Sequence, residues 1–470
     1  MNDFDDFDDE DFDFGDNKEV DRFEAMLQND QSLFFDLSTI FEIYGFYRVR
    51  GDFEKALKLI EYGLTQYPHE ANLYYKKADT LLEEGEMEKA MDAINQAIQL
   101  KTHPKFVILK SKIFMAMGLT AKAISLLKET LTWTPNPWEI WYQLGATYNM
   151  VHSFKEAAEC YGKAFALQPD NEEILLDQVF CLELSGALDE GIEVYTKYLD
   201  DNPYSYPVWY NIGILYARLG LHEKAIDAYD FCLAIEEDFA SAWYNKGCSL
   251  MELGKFEEAI RVFLEALRND KQDASVMFSI AECYEGLSDH ANARYYFRKV
   301  TTLAPDMADA WYGIGYSLEM EEKYFEAIHY YRKAIQADQD HFDSWISLAF
   351  CEYHAGNEAS ALEALEEAIR LNPEDGELWQ EWSMLMKEEG KYDQAMDILQ
   401  EGITNNPEQS ELYYLYAGMC FLTGKSREGM VYLENALIMD YNRHVVLFEY
   451  FMDLKQFQPV VELIRQYKRK

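Results

Sequence analysis

Positively charged residues are scarce in this chain. Its 470 residues include 42 lysines and arginines against 85 aspartates and glutamates, which gives a formal net charge of −43 at pH 7. This balance disfavours a nucleic acid partner, because binding to a phosphate backbone needs a basic surface. Two interpretations remain, an acidic surface that keeps the protein soluble and an attraction for basic partners.

Cysteine is also scarce, and catalytic motifs are missing. The seven cysteines are odd in number and form no CxxC pair, so we expect buried free thiols in a reducing compartment rather than disulfides or metal ligands. The nine histidines are scattered without an HExxH motif. Gly424-Lys425-Ser426 matches the end of a phosphate-binding loop, but Met419 stands where that loop needs its first glycine. The sequence therefore predicts no cofactor, no metal and no enzymatic activity.

Long hydrophobic runs and linkers are missing as well. No run approaches the length of a membrane span, and no secretion signal is visible, so we expect a cytoplasmic protein without membrane insertion. The 11 prolines and 24 glycines lie mostly at turns, and no Ser/Gly-rich linker interrupts the chain. These features predict one continuous domain, although the length alone would suggest about three.

Residues 209–234 contain two consecutive amphipathic helix patterns. Trp209, Gly213 and Tyr216 recur at helical spacing, and Ala225 and Tyr229 do so after a glycine-containing turn. Two helices joined by so short a turn lie antiparallel, and their pair keeps an apolar edge that a neighbouring copy must cover. The pattern returns nearly every 34 residues in twelve copies, which begin at Leu37, Ala71, Pro104, Trp138, Glu172, Tyr206, Ala240, Ala274, Ala308, Phe342, Gly376 and Ser410.

This pattern resembles the tetratricopeptide repeat (TPR) family. Tryptophan fills the fourth place of six copies, alanine and an aromatic residue recur on the second helix, and proline closes seven copies. One local departure is Glu352, which stands where an aromatic residue is usual. The resemblance implies an all-α fold, a right-handed α-solenoid superhelix of about twelve 34-residue helix-turn-helix repeats with terminal capping helices. It also implies that the first helices line a concave surface along which partner peptides lie.

The ends of the chain differ from the predicted TPR array, residues 37–443. Residues 1–19 carry ten carboxylates, one lysine and four phenylalanines, a composition that predicts a disordered tail. The tail is either a solubilising segment or a docking motif. Residues 20–36 are expected to form a capping helix with Phe23, Met26 and Leu27 on one side. Residues 444–470 are expected to form a degenerate repeat, whose first helix includes Leu454.

The fifth place of each copy, one residue after the repeat tryptophan, points towards the concave groove in the resembling family. This place is aromatic in eight of the twelve copies. The predicted peptide-binding residues are Tyr75, Tyr142, Tyr210, Tyr244, Phe278, Tyr312 and Tyr414, together with Glu252, Glu282 and Glu319 on the same face. A simpler interpretation is that the aromatic stripe only packs the helices together.

Charge along this face is expected to be polarised. Lys76, Lys105 and Lys112 form a basic patch in the second and third copies, whereas carboxylates follow in the later ones. An acidic aromatic groove favours Lys and Arg side chains. The sequence therefore predicts a non-enzymatic scaffold or adaptor that binds a basic or amphipathic segment of a partner protein.

Two further hypotheses stay open from the sequence. The chain could be a non-catalytic subunit or an assembly chaperone of a larger complex. Its acidic tail could also dock on a partner, or fold back onto the basic patch and occupy the groove until a partner displaces it. The sequence predicts neither the identity of the partner nor the oligomeric state.

Overall fold

A computed structural model describes residues 18–29, 33–268 and 271–468. Within these ranges the regular secondary structure consists of 27 α-helices and two short 3-10 helices, and it includes no strand. None of the helices in these ranges is long and apolar enough to cross a membrane. Contacts between residues divide the chain into two compact units, Met1–Leu221 and His222–Lys470. The expectation of one continuous domain stays a prediction.

The first unit consists of a short N-terminal helix followed by helical hairpins and one further helix. Its helices are α1 Lys18–Asn29, α2 Leu37–Val49, α3 Phe53–Gln66, α4 Ala71–Glu83, α5 Met87–Leu100, α6 Pro104–Ala116, α7 Thr120–Thr130, α8 Trp138–Met150, α9 Phe154–Leu167, α10 Glu172–Leu184, α11 Leu188–Asp201 and α12 Tyr206–Arg218. From α2 to α11, consecutive helices pair as the first and second helix of a hairpin.

The second unit begins with one helix, continues as hairpins and ends in shorter helices. Its helices are α13 His222–Ile235, α14 Ala240–Glu252, α15 Phe256–Ala266, α16 Ala274–Gly286, α17 His290–Leu303, α18 Ala308–Glu319, α19 Tyr324–Ala337, α20 Phe342–His354, α21 Glu358–Leu371, α22 Gly376–Glu388, α23 Tyr392–Asn405, α24 Ser410–Leu422, α25 Ser426–Met439, α26 His444–Tyr450 and α27 Gln458–Tyr467. The two 3-10 helices are Tyr441–Arg443 and Met452–Gln456. The predicted all-α fold of paired helices is confirmed.

Aromatic side chains at the fourth place of the repeat tie successive hairpins together. The indole Nε1 of Trp243 donates a 2.8 Å hydrogen bond to the carbonyl of Glu237, and Trp311 bonds in the same way to Pro305 at 2.9 Å. In each case the acceptor lies six residues earlier, between the preceding second helix and the new first helix. The repeated tryptophan therefore fixes the angle at which the chain enters each hairpin.

Glycines on first helices allow the two helices of a hairpin to approach closely. A Cβ built on Gly247 would lie 2.4 Å from the ring of Phe263, and one built on Gly315 would lie 2.7 Å from Tyr331. Phe263 and Tyr331 are fully buried on the second helices of the same hairpins. A side chain at either glycine would displace a ring from the core.

Both ends of the described chain differ in detail from the sequence-based expectation. In α1 the buried side chains are Val20, Phe23 and Met26, whereas Leu27 is 43% exposed, so its predicted place on the packed side is wrong. The expected helix through Leu454 is also wrong, because α26 ends at Tyr450. Phe451 turns instead onto Gly418 of α24, where an added Cβ would lie 2.2 Å from its ring.

Glu352, the departure from the repeat pattern, is a buried carboxylate with two partners. Its side chain is only 1% exposed. One carboxylate oxygen accepts a 2.5 Å hydrogen bond from Arg332 Nη2, and the other accepts a 2.7 Å bond from Asn357 Nδ2. A polar residue is tolerated at this core position because neighbouring side chains supply the hydrogen bonds that water would otherwise provide.

We expect Arg332→Ala to lower the free energy of unfolding by about 2 kcal/mol, because it leaves a buried charge short of one partner. Chemical denaturation measures this change. The matched control is Arg370→Ala, which removes an exposed ion pair to Glu367 three residues away and should cost less than about 0.5 kcal/mol. Equal losses in the two variants would contradict a structural role for the Glu352 contacts.

Candidate functional site

Four of the predicted aromatic residues lie half-buried on first helices and pack against a ring on the second helix of the same hairpin. Ring centroids are 5.3 Å apart for Tyr142 and Tyr161 and 5.7 Å apart for Tyr244 and Phe263. The same contact recurs between Phe278 and Phe297 at 5.4 Å and between Tyr312 and Tyr331 at 5.5 Å. These rings therefore take part in hairpin packing with one side and keep the other side partly accessible.

Tyr142 also links neighbouring hairpins through its hydroxyl group. Its Oη donates a 2.9 Å hydrogen bond to Asp177 Oδ2, which lies on the next first helix, α10. Burial and this bond to a carboxylate raise the pKa of Tyr142 above its usual range. Part of the aromatic stripe thus has a structural role, as the simpler interpretation of the sequence proposed.

Tyr414 is not accessible to a partner. Its side chain is fully buried, and its Oη donates a 2.8 Å hydrogen bond to the carbonyl of Asp440. The prediction that Tyr414 contacts a peptide is therefore wrong, because the C-terminal segment covers this part of α24. Tyr75 and Tyr210 are half-buried in the first unit, and Tyr75 packs on Phe106 with ring centroids 5.4 Å apart.

The predicted basic patch lies around one carboxylate of the first unit. Arg48 Nη2 is 2.9 Å from Asp79 Oδ2. Burial raises the pKa of Asp79, and the positive charges of Arg48, Lys76 and Lys112 oppose that rise, so all three cations lie near it. Lys105 lies with its Nζ 5.7 Å from the ring of Tyr75. Arg48, which the sequence pattern did not indicate, also belongs to this patch.

The predicted acidic residues of the second unit have different surroundings. Glu252 is exposed on α14, whereas Glu319 Oε2 accepts a 2.5 Å hydrogen bond from Tyr331 Oη. On α16, burial and the nearby charge of Asp309 raise the pKa of Glu282. Burial and the charge of Glu282 raise the pKa of Glu285 to about 7. Within the described chain, Glu285 Oε1 is buried without a hydrogen-bond partner.

A pocket of about 450 Å³ opens between α18, α20, α22 and α26 of the second unit. Its lining combines aromatic and aliphatic side chains with three carboxylates. The lining residues are Glu319, Ile346, Ser347, Ala349, Phe350, Tyr353, His354, Leu365, Glu381, Met384, Leu385, Glu388 and Tyr450. We call this the α20 pocket. Phe350, Tyr353 and Tyr450 are 45%, 38% and 44% exposed, so each presents apolar surface that a partner can cover.

Contacts among the lining residues hold the α20 pocket in shape. The ring of His354 lies 4.2 Å from that of Phe350, and Tyr353 Oη donates a 2.8 Å hydrogen bond to Glu388 Oε2. Lys387 Nζ donates to the carbonyl of Tyr450 at 2.9 Å, which ties α26 to α22. These contacts hold the aromatic side chains of the pocket next to its carboxylates.

Glu381 differs from the other carboxylates of the α20 pocket. No side chain or backbone group in the described part of the chain pairs with it. Burial, and then the charges of Glu377 and Asp375, raise its pKa. The residue as a whole is exposed to solvent, so a cationic group placed here would mainly relieve the repulsion between carboxylates.

Of the residues that line the α20 pocket, the predicted site included only Glu319. Phe350 and Tyr353 lie one and two turns after Ile346, the fifth residue of its copy, so an aromatic search over the following turns of α20 would have found them. Tyr450 lies at helical spacing after Leu447, but the pattern placed it in a terminal capping helix and not at a site.

The described residues give little support for disulfide or metal chemistry. All seven cysteines are free thiols, and six of them are buried. Within the described ranges, no group of three or more His, Cys, Asp or Glu residues could hold a metal ion. The candidate site is therefore a surface of apolar and charged side chains.

Three family models described as tetratricopeptide repeat match residues 50–113 and 318–382, 206–239, and 244–308. BBSome complex member BBS4 from Bos taurus is 27% identical over 131 residues, which cover 28% of this chain and 25% of the relative. Tetratricopeptide repeat protein 6 from Homo sapiens is 24% identical over 131 residues, with the same two shares. The chain thus matches about a quarter of the length of these relatives.

Among solved structures, the chain is similar to YrrB, a TPR protein described as having an unusual peptide-binding site. The identity is 22%, and the alignment covers 43% of this chain and 99% of that protein. The TM-score is 0.35.

The raised pKa of Glu285 predicts a pH dependence of stability. Glu285 ionises near 4.5 in the unfolded chain and near 7 in the folded protein, so its contribution to the free energy of unfolding falls as the pH rises from 4.5 to 7. Glu285→Gln removes this titration. The variant should unfold at a higher temperature than the wild type at pH 8, and the difference should shrink towards pH 4.5.

Thermal unfolding at both pH values measures the effect of Glu285→Gln. Glu252→Gln is the control, since it removes one exposed carboxylate from α14 and makes the same change in net charge. A stabilisation of equal size in both variants at pH 8 would show that only the overall charge matters.

Proposed function

Because the chain belongs to the tetratricopeptide-repeat family, we propose that it is a non-enzymatic scaffold or adaptor that binds a basic or amphipathic segment of a partner protein. The α20 pocket is the proposed anchor site. One observation carries this proposal: exposed aromatic walls surround Glu381, a carboxylate that pairs with no described residue. This combination suits a cationic side chain with an apolar stem.

The chemistry of the α20 pocket favours arginine or lysine as the anchor. A guanidinium or ammonium group can stack on Phe350 or Tyr450 while it pairs with Glu381 or Glu388. Cation–π contacts contribute about 0.5 to 2 kcal/mol, with the larger values at sites from which water is excluded. Arginine is the better candidate, because its flat group stacks on rings and forms two parallel hydrogen bonds to a carboxylate.

The size of the α20 pocket limits what it can hold. A volume of about 450 Å³ lies in the lower half of the usual range for ligand pockets, so it accommodates a few side chains rather than a folded domain. The remainder of a bound segment would run along the first helices. Half-buried Tyr312, Phe278 and Glu285 and exposed Glu282 offer further contacts there. Screening by salt should weaken the complex.

Most of the predicted contact residues outside the α20 pocket remain part of the proposed binding surface. Tyr244, Phe278 and Tyr312 keep accessible ring edges in the second unit, and Tyr75, Tyr142 and Tyr210 do so in the first. Glu252 and Glu282 offer exposed carboxylates, and Glu319 already accepts a bond from Tyr331. Tyr414 is left out of the proposed surface because it is buried.

A second candidate role concerns larger assemblies. BBS4, one of the relatives, is by its name a member of a complex, which favours the alternative that this chain is a non-catalytic subunit or an assembly chaperone. The acidic tail lies outside the described residues except for Lys18 and Glu19. Its proposed docking in the first unit gains support from Arg48, which adds a fourth cation to Lys76, Lys105 and Lys112.

Phe350→Ala and Glu381→Gln should each weaken the binding of an arginine-containing amphipathic peptide about tenfold, because each removes one half of the proposed anchor site. Isothermal titration calorimetry with the full chain measures the affinity, and the loss caused by Glu381→Gln should shrink at high salt.

The matched controls for the peptide experiment lie on α19. Phe325 is 73% exposed and Glu326 is an exposed carboxylate beside it, and neither lines the α20 pocket. Phe325→Ala and Glu326→Gln should leave the affinity unchanged. If all four variants bind the peptide like the wild type, the anchor site is not the α20 pocket.

The tail proposal predicts restricted motion of the N-terminus. A fluorophore attached before residue 2 should show lower anisotropy in the charge-reversed variant Lys105→Glu/Lys112→Glu than in the wild type, because the tail would no longer be held by the patch. The control variant Lys255→Glu/Arg261→Glu makes the same change in net charge at exposed positions of the second unit. Equal anisotropy in the wild type and the patch variant would exclude docking there.

A further inference from the structure

A second cleft of the second unit, of about 580 Å³, lies along α17. It shares no lining residue with the α20 pocket. Its wall is one stripe of α17, formed by residues about one helical turn apart, and α16 adds one side chain. The residues that matter here are Met277, Arg294, Tyr295, Arg298, Lys299 and Leu303. We call this the α17 cleft.

The charge of the α17 cleft is opposite to that of the chain. The helix reads HANARYYFRKVTTL, with three cations and no carboxylate, in a protein whose net charge is −43. Lys271, which precedes α16, adds another cation to the lining. A local cluster of like charges attracts an oppositely charged ligand whatever the sign of the whole protein, since charges beyond about 10 Å are largely screened at physiological salt.

The three cations of α17 are not equally available. Arg294 is held in place, because its Nη2 is 2.9 Å from Glu321 Oε1 and its Nη1 donates to the carbonyl of Ser317 at 3.2 Å. Lys299 Nζ lies 4.4 Å from the centre of the Tyr295 ring. Arg298 is exposed, and no carboxylate in the described part of the chain pairs with its guanidinium.

The floor of the α17 cleft is apolar. Met277 is almost fully buried, whereas Tyr295 and Leu303 are 53% and 40% exposed. Exposed cations along one helix face are common on protein surfaces, but here they flank an aromatic ring and a leucine that remain uncovered. Such a cleft accepts an apolar side chain between charged groups.

The second helix that precedes α16 is short. It ends at Ala266 after 11 residues, whereas α13 and α17 run for 14. Lys271, which lies between α15 and α16, belongs to the lining of the cleft.

From the charge and shape of the α17 cleft, we propose that it binds an acidic peptide segment of a partner protein, one with an aromatic or aliphatic side chain between its carboxylates. The apolar side chain packs on Tyr295 and Leu303, and the carboxylates pair with Arg298 and Lys299. The chain then has two docking surfaces of opposite preference in one unit, the α20 pocket for cationic segments and the α17 cleft for acidic ones.

The test uses a short fluorescein-labelled peptide of alternating Asp and Phe and the full chain. Fluorescence anisotropy should show that Arg298→Glu/Lys299→Glu weakens binding about tenfold or more. The matched control, Lys255→Glu/Arg261→Glu, changes the net charge equally on exposed residues outside the cleft and should leave the affinity within about twofold. Replacing Asp by Asn, or Phe by Ser, in the peptide should reduce binding to the wild type.

An equal loss of affinity in the two double variants would overturn the proposal, because the overall charge alone would then explain the effect. The proposal would also be overturned if Lys105→Glu/Lys112→Glu lost affinity for the peptide and the α17 variant did not, since the peptide would then bind the first unit. If the double reversal does not fold, Arg298→Gln is used, and unchanged affinity overturns the proposal. The α17 variant should still bind the arginine-containing peptide. The proposal for the α17 cleft can therefore be disproved without disproving the proposal for the α20 pocket.

Discussion

The structure depends on one constraint, that a helical hairpin cannot cover its own apolar edge. A neighbouring hairpin covers this edge, and the main role of the repeated side chains is to pack at that contact. Trp243 and Trp311 fix the entry to their hairpins, Gly247 makes room for Phe263, and Tyr142 bonds to Asp177 on the following first helix. The side chains available to a partner are therefore those that the contact between hairpins leaves uncovered.

The C-terminal end shows how closure of the stack shapes the candidate site. In the described chain, the last full hairpin is followed by the short helix α26 and a 3-10 helix instead of another hairpin. Phe451 packs against Gly418, and α26 ends at the preceding residue, Tyr450. The exposed ring of Tyr450 lines the α20 pocket. The same segment hides Tyr414. The capping element thus buries one predicted contact residue and places Tyr450 in the lining of the α20 pocket.

Local charge, rather than net charge, distinguishes the surfaces of this acidic protein. In the second unit, Glu381 and Glu388 lie among aromatic walls, whereas Arg298 and Lys299 flank an apolar floor on α17. Burial raises the pKa of Glu285, and the nearby charge of Glu282 raises it further. A net charge of −43 by itself describes neither surface.

The sequence by itself determined the helical class, the pairing of helices, the turns between them and the family, because the period of apolar and small residues fixes which face of each helix is buried. It also showed that the fifth place of the repeat is aromatic in eight of the twelve copies. Only the tertiary structure decided what covers each face. Glu352 pairs with Arg332 and Asn357, Tyr414 is buried, and Phe350 of α20 and Tyr450 of α26 line one pocket. These outcomes depend on contacts between residues distant in sequence and on where single helices end, which a periodic pattern does not encode.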